Sequence, residues 1–159
     1  MIQPASARRW AHDLRVGPFF IGEYKIPYLY QGVERPVYVK FAGGYSGSML
    51  IELVQPDDGP SVFRDHLNER GESLHHMQTR PADFDTELAL FKEAGYASLA
   101  TGQIPGGVAE YFDTYADYGC GLKVHYFPER SIGLLSRMED AHRTWDGTRP
   151  IRSWEELDA

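Results

Sequence analysis

From Pro4 to Leu14 the apolar positions Ala7, Trp10, Ala11 and Leu14 recur at the spacing of one helix face, and Gly17 and Pro18 stop the pattern. Pro4 suits a first helical turn. Strand patterns follow over Phe19 to Tyr30, interrupted by Pro27, then over Val37 to Phe41 and Ser48 to Val54, with QGVERP and GGYSG as turns. A connector, QPDDGPSVFRDHLNERGES, carries turn residues and a short helix from about Ser61 to Leu67. Leu74 to Thr79 then reads as a strand. Asp83 caps a helix in which Phe84, Leu88 and Phe91 share a face before Gly95 ends it. Ser98 to Ile104, Val108 to Asp113 and Gly121 to Phe127 supply three more strands. The tail from about Ser131 adds one helix, with Ile132, Leu135 and Met138 on its apolar face, and an end whose Trp145 and Trp154 pack on the body or on a second subunit.

The second half is strand, helix, strand, strand, strand; the first is helix, strand, strand, strand. That likeness reads as a repeat of one supersecondary unit. Counting back from Gly17 by the interval that separates His76 from Gly95 places the counterpart of His76 before residue 1, so the first strand of the first unit is expected to be absent. The expectation is an α+β fold of paired βαβββ units forming one domain over residues 1–130, with unit one at 1–55, a connector at 56–72 and unit two at 73–130. Residues 131–159 form a C-terminal helical extension. An absent strand leaves unpaired edges, and a homodimer partner or the tail is expected to cover them.

Composition narrows the function classes. Twenty-three acidic against 16 basic side chains give a net charge of -7, which argues against a nucleic-acid partner, because such affinity rests on lysine and arginine meeting phosphates. No apolar run approaches the ~18 residues of a membrane span, and MIQPASARRW places arginines where a secretion signal needs its apolar stretch. The single cysteine, Cys120, excludes an intrachain disulfide and a cysteine-cluster metal site and fits a cytoplasmic setting. AGGYSGS lies between two strands with no helix to present to a phosphate, and reads as a turn. The expected partner is a small molecule.

Four stretches carry a resemblance: RRWAHDLRVGPFF, MLIELVQPDDGPSVFRDHLNERGESLHHMQ, ADFDTELALFKEAGY and AEYFDTYADYGCGLKVHYFP. The most specific is the strand ending in ELVQP, followed by a connector and G-x-x-L-H-H-M. Together they resemble the vicinal oxygen chelate superfamily of glyoxalase I, methylmalonyl-CoA epimerase, bleomycin-resistance proteins and extradiol dioxygenases, the epimerase-like branch above all. The resemblance implies a cupped sheet. In metal-using members the sheet's centre holds a divalent ion, with ligands from the first and last strands of each unit. It places His76 at the second unit's first-strand ligand and Glu52 at the first unit's last-strand ligand. The first unit's histidine would fall in the absent strand. Lys123 stands where a glutamate is usual, and Val124 stands there if the following prolines are aligned instead. A protonated lysine repels a divalent cation and offers it no lone pair. The expectation is therefore no cofactor, the alternative being a divalent metal ion on His76, Glu52 and His125.

Side chains alternate along a strand, so Leu50, Glu52 and Val54 share a face, as do Leu74, His76 and Gln78, and Gly121, Lys123, His125 and Phe127. His75 is read as facing the other way, in a structural role. If the fold follows the resemblance, Glu52, His76 and Lys123 converge as catalytic candidates. His125, Gln78, Tyr38 and Tyr111 are the substrate-binding candidates, within a tyrosine-rich wall selecting a flat or apolar ligand. Two function classes follow. One is a metal-independent lyase or isomerase in which His76 or Glu52 removes a proton next to a carbonyl and Lys123 stabilises the resulting charge. The other is a binding protein that sequesters a small apolar molecule without chemistry.

Overall fold

The computed structural model describes residues 4–104 and 107–157. Helix α1 (Pro4–Leu14) forms over the stretch read from its pattern. It is followed by β1 (Phe19–Tyr30), β2 (Val33–Ser46), β3 (Met49–Pro56), α2 (Val62–Arg70), β4 (His76–Thr79) and α3 (Phe84–Glu93). Next come β5 (Ser98–Ile104), β6 (Gly107–Phe112), α4 (Tyr115–Tyr118), β7 (Gly121–Tyr126), α5 (Glu129–Arg143), β8 (Ile151–Ser153) and a closing 3-10 turn, Trp154–Leu157. The architecture is mixed α+β, with eight strands hydrogen-bonded in the order β3-β2-β1-β5-β6-β7-β4 and β8 on β1. Among the described residues no helix is long and apolar enough to cross a membrane.

Strand β2 is much longer than the Val37 to Phe41 core read from the sequence. The reason is the turn. Gln31 and Gly32 both have positive φ, 51° and 74°, the signature of a two-residue hairpin loop whose twist matches its strands. Pairing can therefore resume at Val33 instead of after Pro36, and at the other end the strand runs on through Ala42–Ser46, so most of AGGYSGS is strand and the chain turns only at Gly47 and Ser48. Pro27 does not break β1, because β5 pairs with Tyr28–Tyr30 and β8 with Phe19–Ile21, and neither ladder includes it.

Contacts divide the chain into two compact units. The first gathers the chain up to Tyr24, Tyr38–Gln55 and Glu129 onward. Its core is Ala7, Ala11, Val16, Phe19 and Ala42, with Trp10, Ile51, Leu53, Trp145 and Ile151 against it. The tail packs within this unit. The His142 Nδ1–H donates to the Gly17 carbonyl at 2.6 Å, while Gly47 N–H donates to His142 Nε2 at 3.0 Å. Trp154 meets the rings of Phe41 and Tyr24, at centroid distances of 5.7 and 6.2 Å. The tail strand β8 is parallel to β1 and does not extend β3, which among the described residues neighbours β2 alone.

The second unit comprises Lys25–Val37 and Pro56–Pro128, so the connector read at 56–72 belongs to it. Ser61 caps α2 by accepting Arg64 N–H, and Gly71, at φ 70°, ends the helix with its N–H on the Leu67 carbonyl. Asp83 caps α3 by accepting Thr86 N–H. Helix α3 lays Phe84, Leu88 and Phe91 on Phe112, Leu122 and Val124, the apolar alternate positions of β6 and β7. Strand β4 runs parallel to β7, and β5, β6 and β7 form an antiparallel meander. Helix α2 meets the opposite sheet face. Its Phe63 ring stacks on Tyr28 at 6.4 Å and meets Tyr111 edge-on at 5.5 Å.

Candidate functional site

Register decides which side chains share the α2-facing surface of the second unit. Directly paired residues project to the same side. Tyr30 pairs with Ala100, Ala100 with Tyr111, Tyr111 with Lys123, and Lys123 with Gln78, so these five form one row. The next row is Tyr28, Gly102, Ala109 and His125. His76 pairs with Gly121 and projects beside them.

Under α2 lies a cavity of about 380 Å³ whose wall includes Tyr30, Val62, Asp65, His66, Arg70, His75, His76, Tyr111 and Tyr115. That volume falls in the range of small-molecule sites. Of the sequence candidates, His76 and Tyr111 line it. Lys123 does not, but it is 6% exposed, and its Nζ sits 5.9 Å from the Tyr111 ring centroid. Gln78 and His125 lie together farther along the same face, with His125 Nδ1 donating to Gln78 Oε1 at 3.3 Å. Glu52 and Tyr38 belong to the first unit, on β3 and β2, and Tyr38 is 48% exposed. They do not contribute to this cavity's wall.

Tyr115 belongs to the tyrosine-rich wall that the sequence leads one to expect, whereas His66 and His75 are wall residues that the sequence does not assign to the site. Strand alternation would turn His75 away from His76, but β4 begins only at His76, so alternation does not govern His75. Its ring lies among Phe63, His66, His76 and Tyr111. The adjacent histidines of LHHM were the available signal.

The hydrogen bonds fix the tautomers. The Val62 carbonyl can only accept, so His75 Nε2 carries the hydrogen it donates there at 3.1 Å. His75 Nδ1 is then an acceptor, and it takes the Nδ1–H of His76 at 2.7 Å. His76 Nε2 is left in the unprotonated form. A second chain supports the first: His66 Nδ1–H donates to the Tyr115 hydroxyl at 2.7 Å, which donates to the His75 carbonyl at 2.9 Å. Ser73 Oγ–H closes it on His66 Nε2 at 2.9 Å.

Electrostatics agree with neutral rings. Burial, reinforced by the Lys123 charge and the neighbouring histidines, holds His76 well below the usual imidazole range. Burial lowers His75 to about 4, with His66 and Lys123 adding to it. Burial, then Arg70, lowers His66. Burial and the Asp65 carboxylate, which accepts the Tyr30 hydroxyl, push Tyr30 up to about 12. Away from the cavity, burial and then Lys123 and Arg80 lower His125 to about 3, and its Nε2 has no hydrogen-bond partner among the described residues.

A histidine depressed in this way takes up a proton more readily unfolded than folded. Stability is full above about pH 6.5 and drains as pH falls towards the folded value, by up to ~1.4 kcal/mol per pH unit for each such group. Urea unfolding at pH 7 and pH 5 should show that loss, and His125→Leu should make it smaller by one group's share. An unchanged loss in the variant would contradict the burial of a neutral His125.

Among the described residues no group of three or more His, Cys, Asp or Glu is placed to hold a metal ion.

No protein-family model matches this sequence, and the curated proteins contain no match. Among solved structures, the crystal structure of hypothetical protein BH1468 from Bacillus halodurans is similar, with a TM-score of 0.55 at 15% identity over 81% of this chain and 89% of that one. The likeness is one of fold. The mixed α+β arrangement with its eight-stranded sheet is compatible with a glyoxalase-like fold.

Proposed function

We propose that the chain is a glyoxalase-like protein of paired βαβββ units whose second-unit cavity carries out metal-independent proton transfer, as a lyase or isomerase, on a small carbonyl or carboxylate compound with an apolar or aromatic part. The observation that carries this reading is the His75–His76 pair, in which one Nδ1–H···Nδ1 bond leaves His76 Nε2 unprotonated in a cavity walled by Tyr30, Tyr111 and Tyr115. A base of that kind takes a proton next to a carbonyl. The negative charge then formed is stabilised by the field of Lys123, which acts across the Tyr111 ring and not by touching the ligand.

The test is incubation with a panel of aromatic carbonyl compounds in deuterated water. Exchange of the acidic hydrogen above the buffer rate supports the reading, and none with any compound that binds overturns it. In that second case the tyrosine-lined cavity leaves sequestration without chemistry as the function. Glu52, placed in the first unit, has no step assigned to it.

Lys123→Met tests the field separately. Two unit charges about 7 Å apart at an effective dielectric of ~20 interact by about 2.4 kcal/mol, which corresponds to roughly fifty-fold in rate. Turnover should fall on that order with ligand affinity retained. The acid limb of the pH–rate profile should move upward, since the lysine charge is one cause of the depressed His76 value. An unshifted limb would sink this role.

Strand β3 has one neighbour among the described residues, and we propose that a second copy pairs there to give the homodimer. Sedimentation at micromolar concentration showing a monomer overturns that part.

A further inference from the structure

Resting on the reading of the second-unit cavity as a ligand site, we propose that Arg70 is its anion anchor and that the ligand is a small aromatic carboxylic acid whose carboxylate Arg70 holds.

Arg70 is the last residue of α2 and the one arginine or lysine among the residues that wall the cavity. Its guanidinium carbon stands 4.3 Å over the centre of the Tyr115 ring. A guanidinium held over an aromatic face keeps N–H donors at its rim, and such a group can meet a carboxylate with two parallel hydrogen bonds. Among the described residues no carboxylate forms an ion pair with Arg70, although Asp65, Glu69 and Asp113 lie on the same wall. Asp65 is engaged by the Tyr30 hydroxyl. Tyr115 is itself immobilised, because its hydroxyl bridges His66 and the His75 carbonyl. The cation is thus tied through one ring to the same hydrogen-bond network that orients His76.

The rest of the wall sets the remainder of the ligand. Leu29, Val62, Tyr30 and Tyr111 offer apolar and aromatic surface, and His75 and His76 are neutral. An anionic head at Arg70 with a flat apolar body against the tyrosines matches that distribution. A neutral molecule of the same shape leaves the guanidinium facing water and forgoes the charge-assisted bonds.

The experiment compares 3-phenylpropanoate with 3-phenylpropanamide, which differ in charge and hardly in shape, by calorimetry and by the histidine side-chain NMR resonances of the full chain. Wild type should bind the carboxylate at least tenfold more tightly, with a preference that shrinks as salt is raised. Arg70→Met should lose the preference while binding the amide as before, and Arg70→Lys should keep part of it. Because the side chain is exposed, thermal unfolding of Arg70→Met should match wild type, which separates an anchoring role from a merely structural one. Equal binding of the two probes by wild type, or a preference that survives in Arg70→Met, overturns the anchor while leaving the cavity reading intact. If neither probe moves the His66, His75 or His76 resonances, the cavity reading fails, and the anchor fails with it.

Discussion

His76→Gln should lower turnover by about 10²–10⁴ while leaving ligand affinity within a few-fold of wild type. The range is the usual contribution of a positioned proton-transfer group. Glutamine suits the test because it keeps a neutral polar side chain of similar reach on the pocket wall, beside the His75 ring that His76 meets at 2.7 Å. What it lacks is a basic nitrogen at the place of Nε2. Wild-type turnover should be level through neutral pH, because the depressed His76 value keeps the ring unprotonated there. Deuterium exchange into a bound carbonyl probe is the assay. Exchange in His76→Gln at the wild-type rate would remove His76 from the chemistry, whatever its position.

Phe112→Ala should cost about 3–5 kcal/mol, the range for truncating a buried phenylalanine. The side chain is fully buried in the cluster with Leu122 and Val124, and its ring stacks on Phe91 at a centroid distance of 5.3 Å. Removing it opens a void between α3 and the sheet that the flanking β6 and β7 backbones are too well paired to close. For a chain of this size, the midpoint of thermal unfolding should drop by roughly 6–20 °C. Leu90→Ala, on the same helix but 55% exposed, should change it little. A Phe112→Ala cost below about 1 kcal/mol would mean that α3 is not held by this cluster.

The sheet was legible in the chain because its strands are long and their apolar positions alternate over runs such as Phe19 to Tyr30, which set the period even across Pro27. The α1 and α3 boundaries were legible through Gly17 and Pro18 at one end and Asp83 and Gly95 at the other. The length of β2 was not, since Glu34, Arg35 and Pro36 look like a turn until the two positive φ values at Gln31 and Gly32 show how tight the hairpin is. Nor was β8, because three residues carry no measurable period and its pairing with β1 is fixed by the fold of the tail. At the site, alternation put His76 with Gln78 on one face of β4 and Lys123 with His125 on one face of β7, and the β4–β7 register sets these faces side by side. It failed for His75, which precedes its strand, and it could not see Tyr115 or His66, whose places depend on α4 and α2. The resemblance directed attention to Glu52 and His76 as a pair. In the structure, the rings that meet His76 are His75, which precedes β4, and Tyr111 of β6.

The most direct measurement is ligand mapping by histidine side-chain NMR with 3-phenylpropanoate at neutral pH. The six histidines form a built-in control, since His66, His75 and His76 line the cavity, His125 lies beyond it, and His12 and His142 belong to the first unit. His66, His75 and His76 should shift together on titration with one dissociation constant while His12 and His142 stay in place. Shifts confined to His12 or His142, or no shift in the three cavity rings, would contradict the cavity reading.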